Sequence, residues 1–182
     1  KGTMDEMGNP AVWEACITMN NNWGYCAKDK NFKPASLILH KLVECVSKGG
    51  NLLLNVGPDA RGCIPQESVQ ILLELARWMQ KNGDSIYGCG YADRPKPENG
   101  RITRNGNKLY YHIYEAAIGD IPLEGLRREE VEKVRLLATG AEVKISDSWM
   151  AANYPDTVFV NLGPSPLLPD PVDTVLEVTL KA

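Results

Sequence analysis

The sequence has no apolar run near the roughly 20 residues that a membrane-spanning helix needs; the leucine run 52–54 stops at Asn55. It has no excess of charge of one sign. Lys and Arg number 20 against 23 Asp and Glu, a net charge of -3, so no surface for nucleic acid is indicated. Cysteines are few and widely spaced. Cys16, Cys26, Cys45, Cys63 and Cys89 form no CxxC pair, and only His40 and His112 could add imidazole. Neither a zinc site nor a disulfide framework is expected. The five read as free thiols in apolar surroundings, which leans toward a cytoplasmic setting while leaving the compartment open. Gly49-Gly50-Asn51 and Gly57-Pro58 match neither GxxxxGK[ST] nor GxGxxG before a helix, and no Ser-His-Asp motif is visible. No cofactor and no metal are therefore expected. The chain opens on Lys1 with no charged segment leading into an apolar one, and is read as a piece of something longer.

What is present is a core-forming composition, with 43% hydrophobic and 24% charged residues over 182. The pattern changes near residue 90. Glu14 to Met19 reads as a short strand ended by Asn20-Asn21-Asn22. Pro34 opens a helix whose apolar face is Ala35, Leu39, Leu42, Val43 and Val46, closed by Gly49-Gly50. Asn51 to Val56 is a continuous apolar run of strand length, expected to be buried on both faces as in a parallel sheet. Pro65 starts a second helix with Val69, Leu72, Leu73, Ala76 and Met79 on one side, closed at Asn82-Gly83. Strand, helix, strand, helix implies parallel strands with right-handed crossovers.

Asp93 to Gly100 reads as a linker or exposed loop. Beyond it the period is two. Arg101 to Arg104 and Lys108 to Tyr114 flank Asn105-Gly106-Asn107, a hairpin signal. Val134 to Thr139, Glu142 to Ile145, Thr157 to Asn161 and Val172 to Leu180 are further strands. In the last, Val172, Thr174, Leu176, Val178 and Leu180 share a face. Tyr110, Tyr111 and Trp149 read as exposed aromatics. The expected fold is α/β followed by all-β: residues 1–90 hold the last βα units of a (β/α)8-type barrel, and residues 91–182 form an antiparallel β-sandwich. The barrel expectation is arithmetical, since a barrel takes about 250 residues, roughly 31 per unit, and the first part holds two units whose sheet would otherwise have bare faces.

In such barrels chemistry sits at the C-terminal ends of the strands and in the following loops. Glu14 beside Trp13 is a candidate general acid if the indole desolvates the carboxyl; the alternative is an ion pair at a strand edge. Trp23 and Tyr25 form either an aromatic wall for the apolar face of a sugar or loop packing. Asn55 ends a strand and either caps structure or contacts ligand. Asp5-Glu6 is an acidic stretch near the start. Trp78 reads as core, His40 as part of a helix, and the charged run Lys28 to Lys33 as a solvated loop.

The stretch Trp13-Glu14-Ala15-Cys16-Ile17-Thr18-Met19-Asn20, then Trp23-Gly24-Tyr25, then Val46-Ser47-Lys48-Gly49-Gly50-Asn51-Leu52-Leu53-Leu54-Asn55-Val56-Gly57-Pro58, then Ile64-Pro65, Trp78, Asn82-Gly83 and Ile86-Tyr87-Gly88 resembles the C-terminal part of the catalytic domain of α-L-fucosidases of glycoside hydrolase family 29. The likeness is dense over residues 12–88; the second half matches in kind, as these enzymes carry a C-terminal β-sandwich. The resemblance implies a retaining exo-glycosidase that releases terminal α-L-fucose from an oligosaccharide or glycoconjugate, with two carboxylates about 5–5.5 Å apart. The family nucleophile is an aspartate on an earlier barrel strand. No matching motif occurs in these residues, so it is inferred to lie in an absent N-terminal part, and this chain alone is expected to be inactive. Glu14 matches the acid/base of part of the family; in other members that group comes from an upstream loop, with Asp5 and Glu6 the local alternatives. Trp23 matches an aromatic that lines the fucose pocket and covers the methyl of a 6-deoxy sugar. Trp13, Tyr25 and Asn55 complete the substrate-binding candidates. The expected partners are the fucosylated substrate and the rest of the barrel, with room for a homo-oligomer and with no nucleic acid or membrane. A non-catalytic carbohydrate-binding or accessory β-sandwich fragment is the alternative function.

Overall fold

The computed structural model describes residues 4–9, 11–147 and 149–181. The chain begins with a strand, β1 (Glu14–Thr18), a helix, α1 (Ala35–Ser47), a second strand, β2 (Asn51–Asn55), and a second helix, α2 (Gln66–Asn82). β1 and β2 pair in parallel, with Glu14 opposite Asn51 and Thr18 opposite Asn55. Each helix starts just after a proline: the Pro34 carbonyl accepts from Leu37 and Ile38, and the Pro65 carbonyl from Val69. Proline suits that place because its fixed φ leads into a helix and no amide is lost.

The end of α1 is explained atom by atom. The Gly49 amide donates to the Val46 carbonyl and the Gly50 amide to the Cys45 carbonyl, each at 2.9 Å. Gly49 has φ +77°. This is a Schellman ending, which needs a left-handed residue that glycine supplies without strain. Gly50 answers a different demand. A Cβ there would stand 2.2 Å from the Trp13 indole, so the ring lies directly over the backbone where the chain turns into β2.

The remaining strands are β3 (Gly90–Tyr91), β4 (Gly100–Asn105), β5 (Lys108–Ile113), β6 (Ile121–Glu124), β7 (Val131–Leu136), β8 (Lys144–Ile145), β9 (Thr157–Asn161) and β10 (Thr174–Leu180). They form a five-stranded sheet in the order β3-β4-β5-β10-β7 and a three-stranded sheet β6-β9-β8, antiparallel throughout. The β4–β5 hairpin turns on Gly106 (φ +59°) and Asn107, with glycine at the first central position as a II′ turn requires.

One core fills the space between the two sheets, from Ile102, Leu109, Tyr111, Leu176 and Val178 on one side to Ile121, Leu123, Val158 and Val160 on the other. A second joins the outer face of the five-stranded sheet (Tyr110, Val175) to Leu39, Val43 and Val46 of α1, Trp78 of α2 and Ile86. A third puts Met19, Leu54 and Val56 against Ile38 and Ile71. The layers run β1–β2, helices, five-stranded sheet, three-stranded sheet.

Two expectations are corrected by this layering, one on β2 and one on Tyr110 and Tyr111. β2 is not buried on both faces: Leu53 is 52% exposed, because both helices lie on the side of Leu54. All seven residues of β10 are buried, as helices cover the face that carries Val175. Tyr110 and Tyr111 are buried, not exposed. Tyr111 points into the sandwich and donates to the Glu124 carbonyl at 3.0 Å, while Tyr110 points toward the helices.

Candidate active site

The C-terminal ends of β1 and β2 lead into two loops that lock together. The Met19 amide continues the ladder onto the Asn55 carbonyl at 3.2 Å. The Asn55 side-chain amide donates to the Trp23 carbonyl, and its oxygen accepts from the Gly57 amide at 3.3 Å. Asn55 therefore fixes the loop that carries Trp23. Gly57 (φ +56°) lets the second loop approach the first: a Cβ there would meet Gly24 backbone at 3.4 Å. On this scaffold the rings of Trp23 (71% exposed) and Tyr25 (53%) stand outward. They do not pack into the core.

The charged run Lys28 to Lys33 is more than a solvated loop. Asp29 accepts from the Asn21 amide (2.9 Å), the Asn22 side chain (2.6 Å) and the Asn31 amide (3.0 Å). The Asn31 amide is the leading cause that holds its carboxyl below the usual range. Lys33 donates to the Asn20 carbonyl at 2.7 Å, and Lys30 pairs with Glu67 of α2 at 2.8 Å. The asparagine cluster around one aspartate was the available signal, since such residues hydrogen-bond local backbone.

The structure separates the predicted residues into two groups. Trp23, Tyr25 and Asn55 share one end of the strands. Trp13 and Glu14 stand at the other, five and four residue steps from Thr18, the latter about 13 Å of strand. The Trp13 indole covers Gly50, and its Nε1 donates to the Lys48 carbonyl at 3.4 Å. Glu14 is exposed, and among the described residues its carboxylate has no ion-pair or hydrogen-bond partner. Neither the desolvating indole nor the edge ion pair is thus seen at Glu14. Register and alternation place Glu14 with Cys16, Thr18, Asn51, Leu53 and Asn55 on the sheet face away from the helices. Asp5 is engaged in its own turn. It accepts from the Met7 and Asn9 amides at 2.9 and 2.7 Å, and the Asn9 contacts keep its carboxyl below the ordinary range. A carboxyl held ionised is poorly matched to a general acid. Glu6 is exposed.

Sequence spacing did not reveal one further cluster. His112 Nδ1 lies 2.8 Å from Asp173 Oδ2, and its Nε2 is 3.3 Å from the Thr103 hydroxyl. Trp78 Nε1 donates to the Asp173 carbonyl at 3.1 Å. The order hydroxyl, imidazole, carboxylate is that of a hydrolase triad. All three are completely buried and no substrate could reach them, so the line ties the sandwich to α2. The cysteines are unpaired. Cys16 and Cys63 are exposed and not in apolar surroundings, whereas Cys45 is buried and burial raises its thiol pKa. Among the described residues no group of three His, Cys, Asp or Glu could hold a metal.

Two βα units ending in a loop platform of exposed aromatics, backed by an antiparallel sandwich, define the closing part of a βα-barrel with a β-sandwich attached. The α-L-fucosidase family profile matches residues 1–84. An α-L-fucosidase from Dictyostelium discoideum is 42% identical over 78 residues, covering 42% of this chain and 17% of that protein. Plasma α-L-fucosidase from Rattus norvegicus is 33% identical over 112 residues, covering 58% and 24%. Among solved structures, α-L-fucosidase isoenzyme 1 from Paenibacillus thiaminolyticus superposes with a TM-score of 0.94 at 54% identity, covering 100% of this chain and 42% of that one. Thermotoga maritima α-fucosidase in complex with fucose superposes with a TM-score of 0.76 at 30% identity, covering 92% and 39%. Residues 1–84 thus carry the α-L-fucosidase family pattern, and the chain folds like the corresponding part of solved α-L-fucosidases. It spans about two-fifths of the length of these solved relatives and about a fifth of the curated ones.

Proposed function

We propose that this chain supplies one side of the active site of a retaining exo-α-L-fucosidase and works as part of a longer polypeptide. The carrying observation is the pair of exposed rings, Trp23 and Tyr25, held at the C-terminal ends of two parallel strands by the Asn55 clamp. An exposed indole offers a flat apolar surface, and the apolar C–H face and methyl of a 6-deoxy sugar suit it. The relative solved in complex with fucose supports that ligand class. In this reading the open face of β1–β2 lines the barrel interior, and the nucleophilic aspartate comes from barrel strands outside these 182 residues.

The acid/base assignment to Glu14 rests on the family resemblance. Its position favours the barrel interior but lies at the opposite strand end from Trp23. In the complete enzyme, Glu14→Gln is expected to lower turnover of a fucosyl oligosaccharide by about 10²–10⁴-fold. An aryl fucoside whose leaving group needs no proton should recover part of that. Unchanged oligosaccharide turnover would remove Glu14 from catalysis and move the role to an upstream carboxylate. Trp23→Ala, by contrast, is expected to raise KM for both substrates, because it removes contact with the fucose ring itself.

A further inference from the structure

Beside Tyr25 lies a cleft of about 280 Å³ between the loop that follows β1 and the loop that follows β2. It is at the small end of ligand sites, with room for a single ring. Its lining mixes apolar surface with polar groups, and it includes the charged Asp29, Lys30, Asp59 and Glu67, which are engaged in the contacts that hold the loops. Tyr25, Phe32 and Ile64 offer apolar surface, while Asn20, Arg61 and Gln66 offer hydrogen-bonding groups. That mixture matches a pyranose, which has a C–H face and a rim of hydroxyls.

The cleft walls are tied together by an ion pair and by hydrogen bonds. The Lys30–Glu67 pair ties one loop to α2 at 2.8 Å. Asp59 organises the other loop by accepting from the Arg61 and Cys63 amides, both at 2.9 Å, and from the Arg61 guanidinium at 3.0 Å. The Gly57 backbone, which lies close to Gly24, adds to the lining. Within this frame the Tyr25 hydroxyl and the Gln66 amide have no side-chain partner among the described residues. The Arg61 side chain is 81% exposed despite its contact with Asp59. Polar groups fixed in place with unused hydrogen-bonding capacity are what a binding site requires.

We infer that this cleft receives the second sugar ring of the substrate, the one that bears the terminal fucose, and that Arg61 and Gln66 set the preference for it. The inference rests on the fucosidase reading. It adds a specificity determinant on the leaving-group side, where a neutral, hydroxyl-rich ring is held through its rim while Tyr25 contacts its face.

The test compares two substrates in the complete enzyme. α-L-Fucosyl fluoride has a one-atom leaving group and cannot occupy the cleft; a panel of fucosyl disaccharides can. In Arg61→Ala and Gln66→Ala the ratio of kcat/KM on the preferred disaccharide to that on the fluoride should fall about tenfold, the effect of one or two lost hydrogen bonds to a bound sugar. Cys63→Trp, which fills the cleft from an exposed position, should lower the same ratio and flatten the ranking across the panel. Ratios and ranking that match the parent in all three variants overturn the inference, as does an equal fall on both substrates. A parent enzyme inactive on the fluoride overturns the fucosidase reading, whereas an active parent with unmoved ratios overturns the second-ring site alone.

Discussion

Gly49 and Gly50 stand side by side and are required for different reasons, so substitutions there should differ in cost. Gly49→Ala places a Cβ in a left-handed residue with open space around it; the expected cost is about 1 kcal/mol. Gly50→Ala drives a methyl into the Trp13 indole, 2.2 Å away. The ring must move off its seat, at an expected cost of about 1–3 kcal/mol, and Trp13 fluorescence should shift with it. Urea unfolding of both variants is the measurement. A Gly50→Ala protein as stable as the parent would mean that the indole does not lie there. The adjacent glycines are legible in the sequence as a helix ending, because the pattern is local. The reason for the second is not, because Trp13 precedes the whole of α1. Asn55 likewise reads in the sequence as either cap or ligand contact, and its hold on the Trp23 carbonyl is not legible there, because Trp23 lies before the whole of α1.

Among the elements, α1 and the β7 entry are held by two carboxylates with a predictable pH signature. Glu44 accepts from Lys48 at 2.7 Å and Lys41 at 3.0 Å, and reaches Arg101 of β4 at 3.6 Å. Glu130 pairs with Arg94 at 2.8 Å. The Lys48 contact first, then Lys41, brings the Glu44 carboxyl down to about 2; the Arg94 contact does the same for Glu130, also to about 2. A folded-state pKa below the unfolded one means that the native state resists protonation. The stabilisation is present above the ordinary value of 4.5 and is lost as pH falls from there toward about 2. Solvent screening is appreciable here, since Lys41 and Lys48 are about half exposed, and each carboxylate contributes about 1 kcal/mol. Glu44→Gln with Glu130→Gln should be less stable than the parent near neutral pH, and its stability should change less between about pH 6 and about pH 3. An equally steep acid loss in the double variant would place the sensitivity elsewhere.

The helices and the β4–β5 hairpin were readable because their signals are local: Pro34, Pro65, Gly49-Gly50 and Asn105-Gly106. β6 was not, since it carries Pro122 and, among the described residues, pairs with β9 alone, far along the chain. β10 was readable as a strand but not as one buried on both faces, because its second cover comes from helices more than half the chain away.

At the scale of the whole molecule, the side of β1–β2 that carries Cys16 and the exposed Leu53 has no covering layer among the described residues, and neither strand has a partner on its outer edge there. A two-stranded parallel sheet with an open face is not stable architecture by itself. The count of roughly 31 residues per barrel unit already pointed to missing neighbours, and the exposed Leu53 gives that arithmetic a physical site. The proposal that further barrel strands cover this face can be tested at one residue. An exposed leucine replaced by a charged residue changes stability by about 0.5 kcal/mol or less. A leucine enclosed in a barrel interior leaves an unpaired charge when replaced by aspartate, at a cost above about 4 kcal/mol. In the complete enzyme Leu53→Asp should therefore lower the urea midpoint steeply or abolish folding. Leu53→Ala should cost about 2–5 kcal/mol by leaving a cavity, which keeps the measurement readable where the aspartate variant fails to fold. If both variants of the complete enzyme unfold with the parent, Leu53 faces solvent there too, and the open face of β1–β2 is not the inner wall of a barrel.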